Sequence, residues 1–430
     1  MNNLYHTYAL KAWKRRLSCL LVLLLATTFT YAQDKIKILH QNILYYGKDV
    51  YDCDQNNNDR DVKTDGLKDL FKYVQPDIFT CNEMDDDQAD IDYLLDNALN
   101  QDGRTSFVAA PKYGSYLLNQ LYYDSNKLEL ASSESLHLGG YERSADFYSL
   151  NTKDTPKVNG VATEFIHIVL LHLKSSAGSQ NESRRAEQIR KVMVKLDELG
   201  WTDNVFIIGD LNLYNSNESA YQQMVDATRA GIHFSDPISQ EGAWHNEEVY
   251  SLYHTQSTHM IGGCSVGGGS DDRFDFILTD SKTKEGEGYW KYVKGSYDVV
   301  GQDGKHFNMD ITDGINDMYP SAIINAIYNI SDHYPVTISI SKSSTPVNDV
   351  YKDNAKIIEN PVEEEVRIEG LPHGKVIFEV YSSLGVKVDT GTLNNQEGQL
   401  TLRLTQPSGI YVVKIIDANG DMHRLKVVKK

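Results

Sequence analysis

Short apolar runs alternate with amphipathic stretches along most of this chain, and this alternation constrains its fold more than any other feature. Each short run is typical of a buried strand, and an alternation of strands with helices is typical of an α/β domain. The candidate strands are Ile36–Gln41, Ile78–Cys81, Phe165–Leu171, Val205–Ile208, Phe274–Leu278 and Val336–Ile340.

Two stretches have the apolar spacing of a helix. In Ser183–Leu199 the apolar positions fall on one helical face, and Gly200 follows as a natural C-terminal stop. Asp87–Asn100 predicts a second helix, because its acidic first turn suits the helix dipole.

The character of the chain changes after the polar, proline-containing stretch 342–356, which we interpret as a linker. Beyond it, short strand-like runs are separated by Gly, Asn and Pro turns, and this pattern predicts a small all-β sandwich over residues 357–430. The runs are Val366–Ile368, Lys375–Tyr381, Val386–Val388, Gln399–Leu404, Ile410–Ile416 and Arg424–Val428.

The first 32 residues have the pattern of a secretory signal peptide. A basic segment ending at Arg16 precedes the apolar run Leu17–Ala26, and Ala32 ends a small-residue cleavage site. The run is too short to span a bilayer, so we expect no stable membrane span, with anchoring by this segment as the alternative. The sequence therefore predicts a secreted or cell-surface protein whose catalytic domain covers residues 33–341.

Charge and cysteine usage set further bounds. Acidic residues outnumber basic ones by 60 to 42, giving a net charge of −18 and no basic surface for tight, sequence-specific nucleic-acid binding. A nuclease is still compatible, because metal ions can supply positive charge at the scissile phosphate. Of the three cysteines after the signal segment, Cys81 ends an apolar run and is predicted to be buried, and Cys53–Cys264 is one pairing that an oxidising compartment allows.

Polar residues able to do chemistry recur at or just beyond the ends of the candidate strands, with one of them inside a strand. Because strand ends meet at one edge of a sheet, we expect these side chains to line one cleft. They are Asn42, Glu83, His172, Asp210, Asn212, Asp275, Asp332 and His333.

These residue types suit the hydrolysis of phosphodiesters. Carboxylates such as Glu83 and Asp332 can hold a hard cation such as Mg²⁺ or Mn²⁺, which polarises phosphoryl oxygens. Asp210 can orient or deprotonate an attacking water, and His333 held by Asp275 can contact phosphate or shuttle a proton. Taken singly, an Asp in a turn or a His after a strand is more often structural, so the argument depends on their recurrence.

The order of four motifs resembles the endonuclease/exonuclease/phosphatase family, which includes deoxyribonuclease I. The motifs are Pro76-Asp77 with Glu83, Gly209-Asp210-Leu211-Asn212, Arg273–Leu278 and Ser331-Asp332-His333-Tyr334-Pro335. The resemblance spans about 35–341 and implies an α/β fold, a four-layer sandwich of two mixed β-sheets flanked by helices. It also implies hydrolysis of phosphoric esters, with catalytic roles for His172, Asp210, Asn212, Asp275 and His333 and metal-binding roles for Asn42, Glu83 and Asp332.

His172 resembles the second active-site histidine of deoxyribonuclease I-like, sphingomyelinase-like and phosphatase members. Members of the AP-endonuclease type lack a histidine there, so the resemblance disfavours a role in base-excision repair. Arg185 and Gln188 match an Arg-x-x-Gln pattern, and we expect them to support the active-site loop mainly as structural residues.

Two loops also invite a ligand interpretation. Asp49–Asp61 spaces its oxygen ligands like a calcium loop, but Asn57 and Lys63 stand where such a loop has Gly and Glu. We favour a solvated polar loop over a Ca²⁺ site. Gly262–Gly269 lacks the Lys-Ser/Thr of a P-loop, so we expect a flexible loop beside the cleft.

The segment Ile357–Lys430 resembles the sorting domain of type IX secretion substrates. The resemblance is carried by Asn360-Pro361, Tyr381–Gly385, Pro407–Tyr411 and the basic end Lys426–Lys430. It implies recognition by that machinery, transit across the outer membrane, and then release or surface attachment. A generic adhesive β-module is the alternative.

These features together predict a secreted, metal-dependent phosphoesterase, with a nuclease acting on DNA or RNA as the first interpretation. A hydrolase of phospholipid head groups or of small phosphorylated molecules is the second. A non-catalytic surface binding module is the third, and the full set of catalytic residue types disfavours it.

Overall fold

The computed structural model describes residues 35–139, 143–158, 161–229, 231–343, 355–382, 387–395, 399–418 and 422–430. Two compact units divide between Ser343 and Ser344. The predicted signal peptide and most of the predicted linker lie outside the described residues. Among the residues that are described, no helix is long and apolar enough to cross a membrane.

The first unit alternates strands and helices, as its apolar pattern predicts. Its strands are β1 (Lys35–Tyr46), β2 (Ile78–Asp85), β3 (Phe107–Ala109), β4 (Leu117–Asp124), β5 (Leu128–His137), β6 (Ser144–Thr152), β7 (Lys157–Val158), β8 (Val161–Ala162), β9 (Ile166–His172), β10 (Val205–Asp210), β11 (Phe234–Ser235), β12 (Asp275–Asp280), β13 (Trp290–Tyr292), β14 (Asp298–Val299) and β15 (Val336–Lys342). Its helices are α1 (Arg60–Val74), α2 (Gln88–Leu94), a π-helical turn (Leu95–Leu99), α3 (Ser179–Leu199), α4 (Ser219–Val225), a 3₁₀ turn (Glu248–Tyr253), α5 (Ser281–Glu285) and α6 (Ser321–Ile330).

Two mixed sheets form the centre of this unit. The first has the order β13-β15-β1-β2-β4-β3, with β14 also paired to β15, and β1 runs parallel to β2. The second has the order β11-β12-β10-β9-β6-β5, and β9 runs parallel to β10. The remaining pairs in both sheets are antiparallel. Strands β7 and β8 form a separate hairpin.

The side-chain alternation of the strands separates two apolar cores. On β9, Ile168 and Leu170 join the core shared by both sheets, whereas Val169 and Leu171 join the core beneath α3 and α4. On the far side of the first sheet, α1 packs against α6. A Cβ on Gly66 would come within 2.8 Å of the Ile330 side chain, so this contact requires glycine. The unit is therefore the four-layer helix–sheet–sheet–helix sandwich that the resemblance implied.

The second unit is all-β, as predicted. Its strands are β16 (Lys356–Ile357), β17 (Glu365–Glu369), β18 (Gly374–Ser382), β19 (Lys387–Asn395), β20 (Gln399–Arg403), β21 (Gly409–Ile416) and β22 (Met422–Lys429). They form two antiparallel sheets, β16-β17-β20 and β19-β18-β21-β22. Alternate apolar residues of both sheets, such as Val366, Leu402, Val380 and Val413, share one core.

Candidate active site

The strand ends of the two facing sheets bring the predicted site residues together. In the first sheet Asn42 lies opposite Asn82, and in the second sheet Asp210 lies between His172 and Asp275. All eight predicted site residues are buried. Six of them line one cavity of about 540 Å³: Glu83, His172, Asp210, Asn212, Asp332 and His333.

Asp210 is the centre of the polar network. Its Oδ2 accepts a hydrogen bond from Asn42 Nδ2 at 3.2 Å and lies 3.3 Å from His172 Nε2. Its Oδ1 accepts from the backbone N–H of Asn212 at 3.0 Å, and its own backbone N–H donates to Asn82 Oδ1 at 2.9 Å. Burial alone would raise the pKa of Asp210, but the hydrogen bond with His172 brings that pKa below its usual value. The carboxylate is therefore ionised at neutral pH.

His172 is neutral at neutral pH. Burial, with the nearby Arg143 guanidinium as a second cause, lowers the pKa of His172 to about 4. Its Nε2 also lies 3.7 Å from Glu83 Oε1, and its backbone carbonyl accepts a hydrogen bond from Arg143 at 3.3 Å. A neutral imidazole in this position can donate a hydrogen bond to Asp210 without carrying charge into the site.

His333, in contrast to His172, is positively charged at neutral pH. Burial alone would lower its pKa, but the Asp275 carboxylate, whose Oδ2 lies 2.6 Å from His333 Nδ1, raises the pKa of His333 well above its usual value. His40 Nε2 lies 3.5 Å from the other oxygen of Asp275 and supports it from the far side. The Gln256 side-chain amide lies 2.7 Å from His333 Nε2, and because both ring nitrogens of an imidazolium donate, the amide must present its oxygen to the charged ring. The site thus holds a charged imidazole whose ring orientation is fixed by Asp275.

Glu83 and Asp332 form an oxygen set that fits a divalent cation. Glu83 Oε2 is buried without a hydrogen-bond partner. Burial, and then the charge of Asp332, raises the pKa of Glu83 to about 7. An orphaned carboxylate oxygen beside a second carboxylate is the environment that Mg²⁺ or Mn²⁺ would satisfy. Asn42, the third predicted ligand, already accepts a hydrogen bond from Leu44 N at 3.0 Å through its amide oxygen, which keeps one lone pair for a cation.

A chain of buried side chains supports Asp210 from between the sheets. Asn82 Nδ2 donates to Asn119 Oδ1 at 2.7 Å, and Asn119 Nδ2 donates to Asp146 Oδ2 at 2.9 Å. The Ser135 hydroxyl donates to Asp146 Oδ1 at 2.5 Å. Burial raises the pKa of Asp146 to about 6. The chain runs from Asp210 on β10 through Asn82 and Asn119 of the first sheet and returns to Asp146 and Ser135 on β6 and β5 of the second sheet.

Arg185 joins the two loops that follow His172 and Asp210. It donates to Glu218 Oε2 at 2.8 Å and to the carbonyls of Lys174 and Ser176 at 2.9 and 3.0 Å. Gln188 accepts from the backbone N–H of Lys174 at 3.0 Å. Both residues therefore support the active-site loop, as predicted from their spacing.

The acidic and glycine-rich loops meet at the mouth of the cavity. Cys53 and Cys264 form a disulfide bond, and Cys81 is a buried free thiol. Two residues after Cys264, the backbone N–H of Val266 donates to Asp332 Oδ2 at 2.8 Å. The glycine-rich loop therefore lies beside the cleft, as predicted, and also positions one of the candidate metal ligands.

Several oxygens of the acidic loop serve backbone hydrogen bonds. Asp54 Oδ1 accepts from Asn56 N at 2.7 Å. Asp59 Oδ1 accepts from Asp61 N and Val62 N at 2.7 and 3.1 Å, and so caps the first turn of α1. These contacts support the solvated-loop interpretation rather than a Ca²⁺ site.

Sequence reasoning missed several residues that belong to this site. They are His40, Asn82, Arg143, Gln256 and a second group at the cavity mouth, His245, Asp271 and Asp272, whose potential ligand atoms lie within 4.8 Å of one another. His40, Asn82 and Asp272 lie within two residues of the predicted motifs or site residues, but they match no defining position of those motifs, and Arg143, His245 and Gln256 lie in stretches without a motif. Only the register of β1 and β2 brings His40 and Asn82 under the catalytic groups.

Solved structures similar to this chain include the following three. D. rerio TDP2 complexed with single-strand DNA product has 16% identity and a TM-score of 0.47, over 72% of this chain and 100% of the other. The human Nocturnin catalytic domain with bound sulfate has 14% identity and a TM-score of 0.46, over 73% of this chain and 98% of the other. An endonuclease/exonuclease/phosphatase from Bacteroides vulgatus has 14% identity and a TM-score of 0.46, over 72% of this chain and 100% of the other. Among curated proteins, none matches the chain.

The C-terminal segment has a match of its own. Residues 356–430 match the family described as the secretion system C-terminal sorting domain. This range begins one residue before the predicted segment 357–430 and covers every strand of the second unit. The predicted resemblance of this segment to a secretion sorting domain is confirmed.

Proposed function

We propose that the first unit is a divalent-metal-dependent phosphodiesterase. The observation that carries the proposal is one cavity that holds an orphaned, buried carboxylate oxygen of Glu83, a second carboxylate from Asp332, and an ionised Asp210. The neutral imidazole of His172 and the positively charged imidazole of His333 also line the cavity. This combination suits hydrolysis of a phosphoric ester better than it suits binding alone.

The residues divide the work as follows. Mg²⁺ or Mn²⁺ held by Glu83 and Asp332, with Asn42 as a further oxygen ligand, would polarise the phosphoryl oxygens and stabilise the leaving oxygen. Asp210 orients the attacking water and accepts its proton. The backbone N–H of Asn212 fixes Asp210 Oδ1, so that the other carboxylate oxygen points to Asn42 and His172.

The two histidines take different roles because their charge states differ. His333 is an imidazolium held by Asp275, so it can contact a phosphoryl oxygen and give its proton to the leaving oxygen when the P–O bond breaks. His172 is neutral and has a single N–H, which donates to Asp210 in the free site and could instead donate to a phosphoryl oxygen when a substrate binds. Arg143 is the single Arg or Lys among the described lining residues and can neutralise one phosphoryl oxygen.

We propose nucleic acid as the first substrate class to test, with phospholipid head groups and small phosphodiesters as the second. We also propose that residues 33–341 form the catalytic domain. Residues 357–430 direct export through type IX secretion machinery, which leaves the protein released or attached at the cell surface. The match of residues 356–430 to a secretion sorting domain supports the export role.

A substrate panel tests the catalytic proposal. The purified chain should hydrolyse plasmid DNA, RNA, sphingomyelin vesicles or a bis-aryl phosphodiester only with Mg²⁺, Mn²⁺ or Ca²⁺ added. Glu83→Gln should raise the metal concentration needed for half-maximal rate, while the exposed Asp226→Asn serves as a control that leaves it unchanged. Full activity after exhaustive EDTA treatment would contradict the proposal.

A further inference from the structure

The mouth of the cavity carries an unusual concentration of exposed apolar side chains. Most of the large apolar side chains that are exposed in the first unit come from three loops beside the site. Ile261 is 85% exposed and Ile315 is 80% exposed. We call the following six residues the apolar rim: Tyr51, Met260, Ile261, Val266, Met309 and Ile315.

Hydrogen bonds and one disulfide hold these loops together. Residues 257–269 form a hairpin, in which Gly268 N donates to Met260 O at 3.1 Å. The hairpin contacts the loop that carries Met309 and Ile315, because Ser270 N donates to Met309 O at 3.2 Å. The disulfide Cys53–Cys264 ties the turn that carries Tyr51 to the hairpin tip. The rim is therefore one surface and not a set of unrelated side chains.

The apolar rim is continuous with the catalytic cavity. Tyr51 and Val266 are 66% and 52% exposed, and both also line the cavity. Val266 reaches the centre of the site through its backbone, which donates to Asp332. A partner surface that covers the apolar rim would therefore place its outermost chemical groups at the cavity mouth.

The shape and charge of the rim fit a lipid surface. Its exposed side chains lie on three loops around the cavity mouth and do not line a groove, which suits insertion among lipid head groups better than binding of a protein segment. Tyr51 has the apolar body and polar tip that favour a membrane–water interface. The same loops carry the carboxylates Asp49, Asp52 and Asp310, within a chain of net charge −18. This charge opposes a polyanion and complements the quaternary ammonium groups that a phosphatidylcholine surface presents outermost.

We infer that the apolar rim docks this protein onto a zwitterionic lipid membrane, so that the cavity receives the phosphodiester of a lipid head group. The inference rests on the proposed function, because only a phosphodiesterase would use such a delivery. The inference favours lipids over nucleic acid as the substrate of the candidate site.

Vesicle co-sedimentation of the full chain, with EDTA present, tests the surface without turnover. The parent protein should bind phosphatidylcholine vesicles and bind phosphatidylglycerol vesicles more weakly. The double variant Ile261→Glu/Ile315→Glu should lower the partition coefficient at least tenfold. The matched control Val194→Glu, an exposed apolar position on α3, should leave it unchanged.

Hydrolysis of a soluble bis-aryl phosphodiester separates this inference from the proposed function. The double variant and the Val194→Glu control should both keep the parent kcat/KM on that substrate, because Ile261, Ile315 and Val194 do not line the cavity. Absence of vesicle binding by the parent, or equal binding by the rim variant, would overturn the inference. So would rim-dependent binding of an oligonucleotide, or dissociation of a dimer on rim substitution. A parent that binds vesicles but cleaves no phosphodiester would instead overturn the proposed function.

Discussion

Asp210 lies between two imidazoles, one neutral and one positively charged, whose charge states are set by their surroundings. His172 Nε2 lies 3.3 Å from Asp210 Oδ2 and His333 Nε2 lies 3.9 Å from the same oxygen. His333 has a second carboxylate partner in Asp275, whereas at His172 burial and the Arg143 guanidinium outweigh the effect of the Asp210 carboxylate on the pKa. Two side chains of one type can therefore supply a proton donor and a neutral hydrogen-bond donor at the same pH.

We expect Asp210→Asn to lower kcat by about 10²–10⁴-fold, because the amide cannot accept a proton. Both carboxylate oxygens accept N–H donors, so the amide loses one hydrogen bond, and we expect a stability loss of about 0.5–1.5 kcal/mol. Steady-state kinetics at saturating metal, with a thermal melt of each protein, checks both effects. A variant that keeps parental turnover would rule out Asp210 as the base.

The buried Asp146 makes folding stability depend on pH. Burial raises its folded pKa to about 6, above an unfolded value of about 3.9, so the fold favours the protonated form. The stability associated with that proton is fully present below pH 4 and is lost as the pH rises through 6. The expected loss is on the order of 2–3 kcal/mol.

Asp146→Asn should remove this pH dependence. Its oxygen can still accept from Asn119, and its NH₂ group can donate to the Ser135 hydroxyl, which can act as acceptor. We expect the melting temperature of the variant to exceed that of the parent at pH 7 and to approach it near pH 4. A constant difference between the two proteins across pH 4–7 would contradict this prediction.

Single residues show where sequence reasoning reached its limit. Glu83, Asp210 and Asp332 could be predicted because Glu83 and Asp210 follow a predicted strand, Asp332 precedes one, and each belongs to a recognisable motif. Gln256 and Arg143 could not, because their contacts with His333 and His172 depend on loops whose path no local pattern specifies.

At the scale of elements, the glycine-rich hairpin is the feature that most affects the site. Glycine residues let its arms approach closely: a Cβ on Gly267 would come within 2.4 Å of Gly262 N. Val266 then donates to Asp332, and the Ser257 hydroxyl donates to the Val266 carbonyl at 2.5 Å, so this peptide is held from both sides. A loop rich in glycine has high conformational entropy, and the disulfide restricts it.

We expect reduction of Cys53–Cys264 to weaken divalent-metal binding about tenfold or more, because groups that orient a metal ligand commonly contribute that much to affinity. Mn²⁺ titration followed by electron paramagnetic resonance, with and without a reductant, checks this directly. A Cys53→Ser/Cys264→Ser variant should bind Mn²⁺ as weakly as the reduced parent and should not respond to the reductant. Equal Mn²⁺ affinity in the oxidised and reduced parent would contradict the role given to the hairpin.

The elements themselves were predicted unevenly. Helix α3 begins at Ser179 rather than Ser183, because polar residues form its first turn and apolar spacing cannot detect them. Helix α1 was missed although Leu67, Leu70, Phe71 and Val74 have helical spacing, because its first two turns are mostly polar and follow the acidic loop directly. These turns include Lys63, which is buried and donates to the carbonyls of Ile43 and Leu44 at 3.0 and 2.5 Å. A buried lysine in a helix gives no apolar signal.

At the scale of the whole molecule, the order of strands and motifs was enough to predict the four-layer sandwich, since β9, β10 and β12 carry Asp210 and its neighbours in one sheet. Strand β6 was not predicted because buried polar residues such as Asp146 and Ser149 interrupt its apolar pattern. Strand β5 lies at a sheet edge, and β11, β13 and β14 have only two or three residues, so these strands leave little pattern. In the all-β second unit the predicted runs coincide with β17, β18, β20, β21 and β22, whereas the two-residue β16 was not predicted and β19 continues to Asn395, beyond the predicted Val386–Val388.

Removal of the second unit should leave catalysis unchanged. The candidate site lies entirely within the first unit, and the division between units falls at Ser343. We expect a chain ending at Ser343 to keep kcat within about twofold of the parent and to lose delivery to the cell surface. Turnover of the purified proteins and surface labelling of cells check the two parts, and a large loss of kcat in a folded, truncated protein would contradict the two-unit interpretation.

The Cys53–Cys264 bond gives this molecule a maturation step that needs no proteolysis. Its two thiols are 211 residues apart in sequence, so they meet rarely in the unfolded chain, and folding of the first unit brings them together. In a reducing compartment the chain can fold while the hairpin beside Asp332 is not yet cross-linked, and oxidation then completes the proposed metal site. The compartment in which the disulfide forms therefore sets when the proposed site is complete.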